Sequence, residues 1–249
     1  MIPYVRQSQI YSYIKMKQIA YIDELLDLAK VSLPTVRRDL KKLEEEGKII
    51  LLNGGGVKLS EEEKHSVVAR LEVQADEKYL ICNKAASLLE NDEFIYVGPG
   101  TTEDYLIGFL AGKNITVVTN GIYHVPKLLE YHIKTIVIGG RLDHNYGITC
   151  GPEVLEELDR MNFSTALIGA SAVSDSGVSS FDRDVSVINR KVLSRSKKRI
   201  LLVDSTKFSA FSHHVFARIE DFNHIITTAK AGVDSRDMAN LVLADTADL

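Results

Sequence analysis

The segment SLPTVRRDLKKL, residues 32–43, combines basic and hydroxyl side chains at a spacing that suits contact with DNA. Val36, Leu40 and Leu43 recur with helical periodicity and predict a buried stripe, and the Ser32 hydroxyl is expected to cap the helix. The other side chains then face outward, where arginine and threonine can reach base edges or phosphates and lysine suits phosphates. A solvated amphipathic helix would carry a similar basic face, so the flanking segments must decide. The predicted DNA contacts of this helix are Ser32, Thr35, Arg37, Arg38, Lys41 and Lys42.

The flanking segments favour DNA binding. Apolar residues at helical spacing predict helices at 9–16 and 21–30, and only a tight turn fits before the next helix, which is the geometry of a helix-turn-helix. Short strands are predicted at 48–52 and 57–59, and the glycines between them permit the positive φ angles of a hairpin. This hairpin is interpreted as a wing whose DNA contacts are Asn53, Gly54 and Gly55.

The charge of the chain is unevenly distributed. The 249 residues have a formal net charge of −4, but residues 1–60 contain ten Lys or Arg and seven Asp or Glu, a net charge of +3. We therefore expect the N-terminal part to bind a polyanion with an affinity that falls as salt rises. The predicted division is a DNA-binding domain at 1–60, a linker helix at 61–75 and an effector-binding domain at 76–249.

Composition narrows the class of protein. With 45% hydrophobic and 26% charged residues, the chain is ordinary for a globular protein of two domains. No apolar run approaches the roughly 18 residues that span a bilayer, and the N-terminus lacks a signal-peptide pattern, which predicts a cytoplasmic protein without a membrane partner. Cys82 and Cys150 do not have metal-ligand spacing and are expected to be free thiols, so neither a metal nor a cofactor is predicted.

Beyond residue 75 the pattern changes to strands that alternate with helices, which is typical of a mostly parallel sheet covered on both faces. The predicted fold class of this part is α/β. Strands are expected at 94–97, 115–119, 135–138, 165–168, 200–203 and 224–227. Helices are expected at 77–89, 125–131 and 185–196, and another is opened by Pro152.

Small and hydroxyl residues follow several of these strands, at the sheet edge where ligands of such folds bind. At a helix N-terminus they expose backbone N–H groups and hydroxyl donors that suit a phosphate. Lys207 can neutralise phosphate charge, and Asp204 can accept from a sugar hydroxyl or orient Lys207. In any one loop glycine can equally serve a tight turn, and only the convergence of several loops favours a site. The predicted effector contacts are Gly100, Thr101, Thr102, Thr119, Asn120, Gly139, Gly140, Asp204 and Lys207.

Taken together, these motifs make the chain resemble the DeoR family of transcriptional regulators over nearly its full length. The resemblance implies a winged helix-turn-helix followed by a Rossmann-like sensor domain similar to ribose-5-phosphate isomerase and to the isomerase and CoA-transferase fold. It also implies a repressor of a sugar or carbohydrate catabolic operon that responds to a phosphorylated sugar. We expect a dimer or tetramer on double-stranded operator DNA. The motifs are SLPTVRRDLKKLEEEGKI (32–49), NGGG (53–56), GTT (100–102), TNG (119–121), IGG (138–140) and DSTKF (204–208).

The chain departs from the family pattern at three places. The family wing usually carries an Arg and a His where this chain has Leu51 and Asn53, so the recognition helix is expected to bear more of the DNA contact. An Asp usual two residues before the GTT glycine is replaced by Gly98. The acidic and basic pair usual on the helix before DSTKF is represented by Val185 and Asn189, so the effector contacts are expected to differ from the usual set.

An enzyme is the alternative, namely a sugar-phosphate isomerase or deaminase with the same α/β fold. Such chemistry needs a carboxylate general base beside the sugar and a cation such as Lys207 for the developing oxyanion. An isomerase would have no use for residues 1–60, so a regulator is favoured and no catalytic residue is assigned. A nucleic-acid architectural protein is a third possibility and predicts binding without sequence preference. The carboxylates considered as a general base are Asp175, Asp182, Asp184 and Asp204.

Overall fold

The structure is a computed structural model that describes residues 2–17, 19–60, 70–233 and 238–248. The chain divides into two compact units, Met1–Arg70 and Leu71–Leu249. The linker helix predicted at 61–75 lies outside the described residues as far as residue 69. From Leu71 to Gln74 the chain forms a turn instead of a helix.

In its described residues, the first unit has three helices and a small antiparallel sheet. The helices are α1 (Pro3–Lys17), α2 (Ile22–Ala29) and α3 (Leu33–Glu45), and the strands are β1 (Ile19–Tyr21), β2 (Ile49–Leu51) and β3 (Gly56–Leu59). The strands pair in the order β1-β3-β2. Buried side chains from the helices and the strands, among them Ile14, Leu25, Leu40 and Val57, form one core. The predicted winged helix-turn-helix is confirmed.

Two elements of this unit differ from the sequence prediction. Helix α1 begins at Pro3, six residues before the predicted start. Its first turns were not recognised in the sequence because they expose the apolar Tyr4 and Val5 and bury the charged Arg6, the reverse of the usual amphipathic pattern. Strand β1 was not predicted because it has three residues with one buried side chain, Ala20, which is too short for an alternation to be recognised. It adds a third strand to the wing.

The second unit is built around a parallel sheet. Its helices are α4 (Ala75–Ser87), α5 (Thr101–Phe109), α6 (Val125–Glu130), α7 (Pro152–Asp159) and α8 (Arg183–Ser194). Its strands are β4 (Phe94–Val97), β5 (Thr116–Thr119), β6 (Lys134–Val137), β7 (Arg141–Asp143), β8 (Ile148–Cys150), β9 (Phe163–Gly169), β10 (Ala172–Ser174), β11 (Gly177–Ser180), β12 (Ser196–Leu202), β13 (His214–Ala217), β14 (His224–Thr228) and β15 (Leu241–Ala244).

Seven of these strands pair in parallel in the order β15-β14-β12-β9-β4-β5-β6. The chain runs outward from β4 to β6, returns to β9 beside β4, and then runs outward to the other edge. Neighbouring residues alternate between two cores, with Tyr96 and Ala166 in one and Ile95 and Leu167 in the other. The α/β prediction is confirmed, and the strand order reverses between β4 and β9, which we call the switch point. Ligands of such sheets bind outside this point.

The smaller sheets were not predicted. Strand β7 pairs with β8, and β10, β11 and β13 form an antiparallel sheet. Each of these strands has three or four residues, which is too few for periodicity to separate them from loops. Cys82 and Cys150 are buried and free. Among the described helices, none combines the length and apolar character that a membrane span requires.

Candidate DNA-binding surface and effector site

The recognition helix α3 presents its basic side chains opposite its buried stripe. Val36, Leu40 and Leu43 are at most 3% exposed, which confirms the predicted inward face. Thr35 is half-buried. The exposed predicted contacts are Ser32, Arg37, Arg38, Lys41 and Lys42. Residues three and four apart share a helix face, so the four basic side chains form one continuous surface.

The C-terminal end of α3 limits this surface. The glutamates at 44–46 are exposed, and Lys41 Nζ lies 3.8 Å from Glu45 Oε1. Carboxylates repel phosphates, so the part of α3 suited to a polyanion is its N-terminal part, which helix-turn-helix proteins direct at base edges. Arg37 and Arg38 lie in this part and are exposed.

Ser32 occupies the N-cap position of α3, but its side chain does not cap the helix, so that prediction is wrong. Its Oγ lies 3.0 Å from Oγ1 of Thr35, and the two hydroxyls satisfy each other. They form a small polar pair at the end of the helix where backbone N–H groups can also meet a phosphate.

The position of α3 is held by a buried ion pair that the sequence analysis missed. Arg6 Nε lies 2.6 Å from Asp39 Oδ2, and Gln7 Nε2 donates to Asp39 Oδ1 at 2.9 Å. Burial raises the pKa of Asp39, but the hydrogen bonds from Arg6 and Gln7 outweigh it and hold this pKa below its ordinary value. Asp39 lies three residues after Val36 and four before Leu43, within the apolar stripe. An acid at such a position indicates a buried partner.

The wing is tied back to the helix-turn-helix. Gly54 and Gly55 have φ angles of +86° and +83°, the left-handed region that the predicted turn requires. The N–H of Ile22 donates to the carbonyl of Gly55 at 3.0 Å. Asn53 and Leu51 are both exposed, so at these positions the wing surface carries one polar and one apolar side chain.

All predicted effector residues lie at or just after the carboxyl ends of parallel strands, so they lie along one edge of the sheet. The strand order nevertheless separates them. Four inter-strand steps place the ends of β6 and β12 about 19 Å apart, more than one sugar phosphate spans. Residues 100–102 lie at the switch point and 204–207 lie one strand beyond it, whereas Gly139 and Gly140 lie at the far end.

The loop at the switch point contacts a buried lysine that the sequence analysis missed. Lys78, on the first turn of α4, is 2% exposed, and its Nζ donates to Thr101 Oγ1 at 3.0 Å. Thr101 and Thr102 open α5 after the N-cap Gly100, and the first N–H groups of a helix have no partner within it. A buried ammonium beside such a terminus suits a phosphate. The sequence alone did not identify Lys78 as a buried site residue, because three charged residues in a row at 76–78 are also typical of an exposed helix start.

A buried carboxylate lies against the same loop. Glu103 is 1% exposed, and its Oε1 accepts from the N–H of Gly169, at the end of β9, at 2.5 Å. A Cβ at Gly98 would lie 2.7 Å from Oε1, and one at Gly100 would overlap the carboxylate, so glycine leaves the room that Glu103 takes. Glu103 thus fills the space beside Gly98, where the family usually has an aspartate, and bridges the loops after β4 and β9.

An imidazole also faces this loop. His124 is 1% exposed, and its Nε2 lies 3.1 Å from the carbonyl oxygen of Gly100, to which the ring N–H donates. Burial lowers the pKa of His124, so the ring is neutral and Nδ1 is an acceptor. This Nδ1 has no hydrogen-bond partner among the described residues.

Two predicted effector residues are engaged within the protein. Asn120 is fully buried, its Oδ1 accepts from the Tyr96 hydroxyl at 2.7 Å, and its Nδ2 donates to the Thr149 carbonyl at 2.9 Å. Thr119 Oγ1 accepts from the N–H of Gly121 at 3.0 Å. These bonds position the TNG loop between β4 and β8.

The IGG loop has a packing role. A Cβ at Gly140 would lie 2.7 Å from Val154 Cγ2 and 2.8 Å from the Cys150 carbonyl oxygen, so the loop can pack on β8 and α7 only with glycine there. Gly139 is exposed, with open space where a side chain would stand. Neither residue is brought near the switch point.

The DSTKF segment forms a short 3-10 helix at Ser205–Phe208, capped by the buried Asp204 carboxylate. Lys207 Nζ lies 3.6 Å from Asp204 Oδ2, a distance consistent with the predicted orienting role. Glu77, on α4, accepts from the Ser205 N–H at 3.0 Å and from the Ser205 hydroxyl at 2.8 Å. The first turn of α4 therefore reaches both this segment and the GTT loop.

Helix α8 is uncharged at the two positions where the family usually has an acid and a base. Val185 is half-buried, and its N–H donates to Asp182 Oδ1 at 2.9 Å. Asn189 is 3% exposed, and its Oδ1 has no hydrogen-bond partner within the described chain.

The four carboxylates considered as catalytic bases lie in a helix cap, an ion pair or an exposed turn. Asp182 caps α8, and Asp204 caps the 3-10 helix. Asp184 Oδ2 lies 2.8 Å from an Arg141 nitrogen, and Asp175 is exposed in the turn between β10 and β11. In the part of the chain that the structure describes, no three His, Cys, Asp or Glu side chains are grouped to hold a metal ion.

A winged helix-turn-helix followed by a parallel α/β domain defines the class of two-domain transcriptional regulators. Residues 6–63 match the DeoR-like helix-turn-helix domain, and residues 73–229 match the DeoR C terminal sensor domain. The chain belongs to the DeoR family of transcriptional regulators, as the sequence motifs predict.

Curated relatives carry regulatory names. The chain is 33% identical to the "Uncharacterized HTH-type transcriptional regulator FruR" of Bacillus subtilis, across 90% of this chain and 91% of that one. It is 29% identical to the "HTH-type transcriptional repressor GlcR" of the same species, across 88% and 85%. It is 28% identical to the "Lactose phosphotransferase system repressor" of Staphylococcus aureus, across 89% and 90%.

Solved structures of similar shape include enzymes and translation factors. Ribose 5 phosphate isomerase A from Neisseria gonorrhoeae matches with a TM-score of 0.40 and 21% identity, covering 55% of this chain and 53% of that one. The eIF2B delta subunit from Chaetomium thermophilum matches with a TM-score of 0.44 and 13% identity, covering 64% and 57%.

Proposed function

We propose that this protein is a cytoplasmic repressor of a sugar or carbohydrate catabolic operon whose operator affinity is set by a phosphorylated sugar. The observation that carries the proposal is the buried ammonium of Lys78, which donates to Thr101 at the switch point. A buried cation beside the N-terminus of a helix is suited to an anionic ligand. The regulatory names of the relatives support a sensor without catalytic activity.

The effector spans two loops in this proposal. Its phosphate lies at the start of α5, where Lys78 supplies charge and the hydroxyls of Thr101 and Thr102 supply hydrogen bonds. Its sugar extends toward the 3-10 helix, where Asp204 accepts from a hydroxyl and Lys207 adds a second positive charge. Two cations match the roughly two negative charges of a phosphate monoester.

Operator binding uses α3 and the wing. The basic surface of α3 enters the major groove, and the hydroxyl pair of Ser32 and Thr35 lies at its leading end. The protein acts as a dimer or tetramer. Two DNA-binding units then contact two operator half-sites that lie about one helical turn of DNA, or a multiple of it, apart.

We expect Arg37→Ala or Arg38→Ala to weaken operator binding by roughly 5- to 150-fold, which corresponds to about 1–3 kcal/mol per lost contact. The measurement is a titration, at fixed salt, of the full chain with a duplex selected from a random pool. Lys17→Ala removes the same charge from α1, outside α3 and the wing, and serves as the control. Equal losses in all three variants would indicate a general charge effect and contradict the assignment to α3.

We expect a phosphorylated sugar to raise the Tm of the full chain, because a ligand that binds only the folded state stabilises it. The panel is glucose 6-phosphate, fructose 1-phosphate and ribose 5-phosphate, with the free sugars as controls. Lys207→Ala should reduce this shift and blunt the change in operator affinity, while operator binding without sugar stays as in the wild type. A panel without any shift, or catalytic turnover of one of its members, would contradict the proposed function.

A further inference from the structure

The carbonyl oxygen of Leu71 accepts two hydrogen bonds from side chains of the sensor. Lys78 Nζ and the Tyr105 hydroxyl each lie 3.3 Å from it. Leu71 is the first residue of the second unit, so the chain that leads from the DNA-binding unit enters the sensor at this carbonyl. Both distances are longer than those of typical hydrogen bonds, so both bonds are weak. This pair of bonds is here called the Leu71 tie, and a stronger acceptor can displace the Leu71 carbonyl.

One donor of the Leu71 tie belongs to the proposed phosphate site. Lys78 Nζ also donates to Thr101 Oγ1 at 3.0 Å, so the same ammonium contacts the incoming chain and the first residue of α5. A phosphate oxygen carries more negative charge than a peptide carbonyl and forms shorter, stronger bonds with an ammonium. A phosphate at the start of α5 therefore competes with Leu71 for Lys78.

The other donor, the Tyr105 hydroxyl, belongs to α5. Tyr105 lies one turn after Thr101, and its ring is covered by Lys127 Nζ, 5.6 Å from the ring centroid. Lys127 is also ion-paired with Asp104 on the same helix. Burial and nearby carboxylates raise the pKa of Tyr105, so its hydroxyl keeps the proton that it donates. A shift of α5 on ligand binding would therefore move this donor as well.

A strained residue lies between the tie and α4. Gln74, the N-cap of α4, has φ 55° and ψ 39°, the left-handed conformation. For a residue with a Cβ this conformation costs about 1–2 kcal/mol and persists only when its surroundings hold it. The Leu71 tie closes the turn from Leu71 to Gln74 and provides such a hold.

We propose that the Leu71 tie is the element that couples effector binding to DNA affinity. The effector phosphate draws Lys78 from the Leu71 carbonyl, the turn at 71–74 relaxes, and the chain leaves the sensor toward the DNA-binding unit in a different direction. This inference rests on the proposed function, because it needs an anionic effector at the start of α5. It assigns Tyr105 a positioning role outside the effector site.

The test is Tyr105→Phe in the full chain, since it removes one donor of the tie and keeps the ring. Tyr79→Phe is the matched control, because Tyr79 lies on α4, packs edge-on against Phe109 of α5, and is 46% exposed. The sugar phosphate of the panel with the largest Tm shift is the probe. Its Kd and the operator Kd with and without it are measured for each variant.

We expect Tyr105→Phe to bind the sugar phosphate at least as tightly as the wild type, since one bond of the Leu71 tie that the phosphate must break is already absent. Its operator affinity without sugar should already be shifted toward the sugar-bound value. The ratio of the two operator affinities, roughly 5- to 150-fold for ordinary allostery, should then shrink severalfold. Tyr79→Phe should keep the wild-type ratio.

The outcomes separate the two proposals. The coupling role would be overturned if Tyr105→Phe kept the wild-type ratio of operator affinities, or if Tyr79→Phe reduced this ratio as much as Tyr105→Phe does. Either result would leave the proposed function standing. A wild-type protein that binds none of the sugar phosphates would overturn the proposed function, and the coupling role with it.

Discussion

Asp39→Ala is expected to lower the free energy of unfolding of the DNA-binding unit by about 3 kcal/mol, because it leaves the Arg6 guanidinium buried without this carboxylate. Asp39 is 2% exposed and accepts from Arg6 and Gln7. For a unit of 70 residues this loss corresponds to a fall in Tm of about 12 °C or more. The measurement is thermal unfolding of the full chain followed by circular dichroism, with the exposed Asp27→Ala as the control. Identical curves for the two variants would contradict the prediction.

Acid should remove the same interaction. The folded-state pKa of Asp39 is held below its unfolded value, so its contribution is present above about pH 4 and is lost as the pH falls through the folded-state pKa. The difference in stability between the wild type and Asp39→Ala should therefore shrink in that range. Combining Arg6→Met with Asp39→Leu should recover much of the loss at neutral pH, since both charges are then replaced by apolar volume. Operator binding reports separately whether α3 keeps its position.

Lys78→Met is expected to weaken sugar phosphate binding by about 30- to 150-fold, because a buried ammonium that contacts an anion contributes about 2–3 kcal/mol. Methionine keeps most of the volume of the side chain, so the fold should persist. The measurement is calorimetric titration of the full chain with the sugar phosphate that gives the largest Tm shift. The expected loss of sugar phosphate affinity is larger than for Lys207→Ala, because water screens a buried charge less than an exposed one. Lys78 is 2% exposed, and the Lys207 side chain is 25% exposed.

The control for this variant is Lys113→Met, which removes the same charge from the loop after α5, away from the switch point. It should bind the sugar phosphate as the wild type does. Wild-type affinity in Lys78→Met would place the anion elsewhere on the sheet edge. Equal losses in both variants would show that the overall charge of the sensor, and not this site, attracts the ligand.

The elements with a long, regular pattern were predictable from sequence. Strand β4 lies at the predicted residues 94–97, and α3 buries the predicted stripe. Helical and strand periodicities report which face of a segment is buried, and this information is local to the segment. The unpredicted strands of three or four residues are too short for such a pattern, and their pairing depends on partners elsewhere in the chain.

The candidate site was only partly predictable for the same reason. The glycine and hydroxyl loops were recognisable because each motif is continuous and follows a strand. The order of the strands is a property of the whole sheet, and it separates Gly139 and Gly140 from the switch point. Asn120 also shows this limit, since its amide binds Tyr96 and Thr149 inside the protein, 24 and 29 residues away in sequence.

The sequence by itself determined the class of this protein: a basic helix-turn-helix with a wing, joined to an α/β domain with the motifs of DeoR-family regulators. Only the tertiary structure showed which charged side chains are buried and with what. Arg6 meets Asp39 across 33 residues, Lys78 meets Thr101 across 23, and Glu103 meets Gly169 across 66. Charged residues have no periodic signature when their partners are distant in the chain. Their burial becomes favourable only when folding brings those partners within hydrogen-bond distance.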